Sequence, residues 1–74
     1  MDVIIVNNTT HLPLFLEWCQ EHHYCPEVVQ KFLSMELGTD ASLRDNGSLS
    51  LNGRYHKNQV NNVVQMFIIS QEHA

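Results

Sequence analysis

The chain has 74 residues, of which 43% are apolar and 16% charged, with four Lys+Arg against eight Asp+Glu for a formal charge of −4. One domain at most is expected, with a small core, since a chain this short buries only about 60% of the surface its unfolded form exposes. The acidic balance argues against indiscriminate nucleic-acid binding, which depends on basic side chains releasing counterions from phosphates. Any RNA contact is therefore expected only within a complex that holds the chain in place.

In chain order, Val3-Ile4-Ile5-Val6 is a β-branched run that reads as a strand buried on both faces. Asn7 to Thr10 supply turn and N-cap chemistry. Leu12, Phe15, Leu16 and Cys19 recur at helical spacing, which predicts a helix from about His11 to His22 with Pro13 in its first turn. Pro26 can open a second helix as its first residue. Val28, Val29, Phe32, Leu33 and Leu37 carry that helix to Gly38, a suitable left-handed terminator.

Ala41 to Arg44 is a short strand candidate. Asn46-Gly47 is the preferred pair for a two-residue type I′ turn, and Ser48-Leu49-Ser50-Leu51 alternates as a half-buried strand should. Asn52-Gly53 ends that strand. From His56 onward Val60, Val63, Val64 and Phe67 mark a third helical face, with Ile68 and Ile69 as a spare apolar helix end and Ser70 to Ala74 a frayed tail. The predicted architecture is α+β: an N-terminal strand plus a β-hairpin packed against about three helices, in the order βααββα.

Cys19, His22, His23 and Cys25 lie within seven residues. Thiolate and imidazole are zinc ligands, but the spacing is no standard zinc pattern, and Cys19 falls on the predicted core face, where a free Cys is commonly a small buried hydrophobe. A nucleophilic role would need a base and an orienting group, and no such signature surrounds either Cys. There is also no P-loop, no dinucleotide-binding glycine motif and no paired-carboxylate motif. The expectation is a non-enzyme with no metal, no cofactor and no small-molecule substrate. Two Cys make no disulfide framework, and no run is long enough to cross a bilayer, so a reducing, cytoplasmic setting is expected.

Arg54, Tyr55, His56 and Lys57 form the densest basic-aromatic patch. It could set cations and a ring against RNA or an acidic protein surface. On charge alone, the alternative of a solvated surface with Tyr55 tucked onto the core is favoured.

Lys31-Phe32-Leu33-Ser34-Met35-Glu36-Leu37-Gly38 resembles the K-[FY]-[FL]-x-x-E-L-G helix end of the family comprising the beta subunit of translation initiation factor two and initiation factor five. Ser50-Leu51-Asn52-Gly53-Arg54-Tyr55 is similar to that family's strand ending in N-G or G-R, and Asn58 to Ile69 to its last core helix. Val3 to Val6 and the Leu12 to Cys19 helix fit its opening elements, so the resemblance spans nearly the whole chain in matching order. It implies the α/β core alone, residues 1–74: a zinc ribbon would follow Ile69, basic N-terminal extensions would precede the core, and no Arg precedes Arg44.

The functional expectation is a stand-alone factor-like protein that binds the small ribosomal subunit or an initiation factor complex and modulates or blocks initiation. Arg44, Arg54, Tyr55 and Lys57 are its candidate binding residues. The alternative is an interaction module or decoy that captures a soluble partner without ribosome binding.

Overall fold

In the computed structural model, which describes residues 1–72, the N-terminal segment folds as a hairpin rather than a strand leading into a helix. β1 (Ile4–Val6) and β2 (Thr9–Leu12) are antiparallel, with Ile4 opposite His11, Ile5 opposite Thr10 and Val6 opposite Thr9. Two residues join them. Asn7 takes a φ of 55°, the positive value that hairpin turns require at their first central position and that Asn tolerates better than most residues. Asn7 to Thr10 therefore form a turn and the start of a strand, where an N-cap was expected.

Pro13 explains why the first helix starts late. The residue before a proline is pushed toward extended backbone, so Leu12 stays in β2. Helix α1 runs only over Phe15–Glu21, inside the expected span of His11 to His22. Its start has no side-chain cap. The Leu16 N–H instead donates to the Gly47 carbonyl at 2.9 Å, across the fold. His23, at a φ of 60°, turns the chain at the other end.

α2 (Pro26–Leu37) opens on Pro26 and closes on left-handed Gly38, at the predicted positions. Then come β3 (Ala41–Leu43), β4 (Leu49–Asn52) and α3 (Lys57–Glu72). Ser70 to Glu72 are helical rather than frayed, and the expected tail beyond them lies outside the described residues.

The β3–β4 connection differs from the expected two-residue turn. The Arg44 N–H donates to the Ser48 carbonyl at 2.7 Å, and the Gly47 N–H to the Arg44 carbonyl at 3.0 Å. Gly47 has a φ of 86°. This is a three-residue loop in which glycine supplies the left-handed position after an ordinary turn. The Asn46 side-chain oxygen accepts from both the N–H and the hydroxyl of Ser48 and holds the loop closed.

The sheet order is β1-β2-β4-β3, antiparallel throughout. The α+β class with helices covering one face is as expected, and the sheet carries one strand more, β2. Leu12, Leu49 and Leu51 point from the sheet into a core completed by Phe15, Cys19, Val29, Leu33, Val60, Val63, Val64 and Phe67. The last four recur at i, i+3, i+4 and i+7 on α3, which is the stripe an amphipathic helix needs. Phe67 receives Tyr24 and Phe32 edge-on, at centroid distances of 5.1 and 5.2 Å.

Among the described residues no helix lies on the opposite sheet face. β1 is an edge strand, not a doubly buried one: Ile4 and Val6 are 50% and 51% exposed on that open face.

Candidate functional site

The two ends of β4 carry the candidate cations. At its start, β3 hands over to the loop at Arg44, whose guanidinium is exposed yet tethered. Arg44 Nε donates to Ser50 Oγ at 3.0 Å, and the same hydroxyl lies 3.2 Å from His11 Nδ1. Ser50 is buried between them on the helix-free face.

A hydroxyl that accepts from Arg44 has its own proton left for His11 Nδ1. On that assignment a neutral His11 carries its proton on Nε2. Arg44 then keeps its terminal N–H groups free and held in direction, above an open depression lined by His11, Arg44, Asp45, Asn46 and Ser48. Among the described residues no carboxylate forms an ion pair with Arg44.

At the far end of β4 the chain passes through Gly53 into α3, and Thr10 organises the crossing. Fully buried on β2, Thr10 donates its hydroxyl to the Gly53 carbonyl at 2.7 Å and accepts from the Tyr55 N–H at 2.9 Å. Gly53 has a φ of 129°, and a β-carbon there would lie 2.9 Å from the Tyr55 ring. The absence of a side chain thus lets Tyr55 fold back over the backbone, with its hydroxyl toward the Leu37 carbonyl at 3.5 Å. Tyr55 is half-buried and serves packing, while Arg54 stays exposed. Lys57 Nζ lies 3.8 Å from Asp2 Oδ1, both well exposed; such a surface pair contributes little to stability.

The structure thus brings Arg54, Tyr55 and Lys57 to one end of β4 and leaves Arg44 at the other. At roughly 3.3 Å per residue the two groups stand about 15–20 Å apart along the strand. They stand at opposite ends of an interior strand rather than around a single pocket.

The Cys/His stretch does not gather. Cys19 is fully buried, and its thiol is pushed up to about 11, first by burial and then by the nearby Cys25. His22 Nδ1 lies 3.0 Å from the Trp18 carbonyl, an acceptor, and its ring stacks on Trp18 at 4.5 Å. No group of three or more His, Cys, Asp or Glu is placed to hold a metal ion among the described residues.

Sequence reasoning missed Thr10, His11 and Ser50. The available signal was the β-branched pair Thr9-Thr10 behind a two-residue Asn-Asn turn, which suits the second strand of a hairpin.

Residues 1–70 match the sequence model of a family described as the domain found in initiation factors two-B and five. The chain belongs to this initiation-factor domain family. Two curated relatives are each named translation initiation factor 2 subunit beta. The protein of Saccharolobus solfataricus is 25% identical over 68 residues, and that of Metallosphaera sedula 28% identical over 68 residues. In both cases the match covers 92% of this chain and 49% of the relative. The chain thus spans about half the length of these relatives. As a member of the family it is a translation-initiation-factor-like domain. Among the described residues no helix is long and apolar enough to cross a membrane.

Proposed function

We propose that this chain is a binding domain that acts on the translation machinery. It docks on the small ribosomal subunit or on an initiation factor complex in the cytoplasm, and modulates or blocks initiation. The observation that carries this reading is the family match over residues 1–70, combined with cationic side chains left free on the surface at both ends of β4. Arg44 at one end, and Arg54 and Lys57 at the other, supply the phosphate contacts. The formal charge of −4 makes such contacts productive only within an assembly that orients the chain. The work is binding rather than catalysis.

A second reading is favoured by Met66 and Ile69, 48% and 45% exposed on α3. An apolar helix flank of this kind fits capture of a soluble protein partner without ribosome contact.

Sedimentation of the tagged protein with cell extract through a sucrose gradient, at low and moderate salt, separates the two. Co-migration with the small subunit that fades as salt rises is the expected result. Recovery in the free fractions at both salts would sink the ribosomal reading in favour of a soluble partner.

A further inference from the structure

The two edges of the sheet are treated differently. At β3 one outward carbonyl is taken: the Gln30 side-chain amide donates to the Ala41 carbonyl at 2.7 Å and ties α2 to the strand. Among the described residues the β1 edge has no such bond. Apart from its three-residue length it carries none of the usual protections of an edge strand, since Val3 to Thr10 contains no Lys, no Pro and no other charge.

The register shows which backbone groups that edge presents. The Asn8 carbonyl accepts from the Gly53 N–H, so Asn8 and Thr10 face β4 and Thr9 faces β1. Val6, opposite Thr9, therefore turns its N–H and carbonyl inward, and Ile5 turns both outward. Outside the sheet, Ile5 offers one donor and one acceptor that no described residue pairs with.

We propose that this edge is a self-association strand, on which two copies of the chain pair β1 against β1 in antiparallel fashion about a two-fold axis at Ile5. Centred there, Ile5 meets Ile5 of the second copy as a hydrogen-bonded pair. Ile4 then falls opposite Val6 of the second copy as a pair without hydrogen bonds, in which side chains come closest. Those are the two half-exposed apolar residues of the open face.

Charge permits this pairing despite the net −4. Asp2 falls opposite Asn8 of the second copy, so no like charges meet along the strand. A charged partner strand, in contrast, would find no counter-charge there. The product is a continuous eight-stranded sheet, twice the four strands of one copy, with both Arg44 side chains on the same open face. A three-residue strand buries little area, so the dimer is of low affinity and concentration-dependent.

Sedimentation velocity from about 10 μM to about 1 mM covers the range that a small interface occupies. The expected result is a monomer–dimer equilibrium that weakens about tenfold or more in the double variant Ile4→Lys, Val6→Lys, because like charges directly opposite one another repel. Both positions are half-exposed, so circular dichroism should be unchanged. If the lysine variant is misfolded, Ile4→Thr with Val6→Thr keeps strand propensity and removes the apolar contact. Amide exchange of Ile5 locates the interface: it should slow with concentration in the wild type alone. A monomer throughout, a dimer indifferent to these substitutions, or an Ile5 amide that exchanges equally fast at all concentrations would overturn the proposal.

Discussion

At the scale of single residues, Cys19 shows how burial changes a side chain's chemistry. Its thiol ionises near 11 in the folded chain, against an ordinary value of 9.0. Between those values the unfolded chain has released a proton that the folded chain still holds, so stability falls as pH rises through this window and is unaffected below it. The slope from this group alone reaches at most about 1.4 kcal/mol per pH unit. Urea unfolding at several alkaline pH values should show a steeper loss for the wild type than for Cys19→Ala measured against its own value at neutral pH. Equal slopes would contradict the assignment. The helical spacing Leu12, Phe15, Leu16, Cys19 already marked Cys19 as a core residue. The roles of Thr10 and Ser50 were not legible, because a buried hydroxyl is recognisable only from what the folded backbone brings to it.

Among the elements, the second helix, the last helix and strand β4 were legible because each carries its own punctuation: Pro26 and Gly38, the Val60 to Phe67 stripe, and the alternation that ends at Asn52-Gly53. The N-terminal hairpin was not, because Leu12 continues the apolar spacing of α1 while belonging to β2. Two periodicities share that residue, and the restriction from Pro13 together with pairing to Leu49 decides between them. The same pairing buries Thr10, which then locks the passage from β4 into α3. Thr10→Val preserves shape and removes both hydrogen bonds, leaving the Tyr55 N–H without its acceptor and the Gly53 carbonyl without its donor. A loss of about 1–3 kcal/mol is expected for such unsatisfied groups. It is read as a lower urea midpoint with an unchanged m-value; an unchanged midpoint would show that water satisfies both groups.

For the whole molecule, the fold leaves Arg44 and Arg54 exposed outside its helices. Arg44 is held by Ser50 at one end of the central strand, and Arg54 and Lys57 sit at the other, while Tyr55 is withdrawn into packing. The candidate site was legible as a list of residues set apart by the predicted strand between Arg44 and Arg54, but the tether of Arg44 to Ser50 beside His11 was not, since β2 was not expected. The family was legible in the order of short motifs from Lys31 to Ile69, which agrees with the match over residues 1–70.

On the proposed function, these cations bind phosphates of the initiation machinery. The most direct test is the affinity for purified small ribosomal subunits as a function of salt, for the wild type and for Arg44→Ala, Arg54→Ala and Lys57→Ala. Each phosphate contact removed should weaken binding and flatten the plot of log affinity against log salt by about one unit of slope. Variants that keep the wild-type slope, or a wild type with no salt dependence, would contradict the claim.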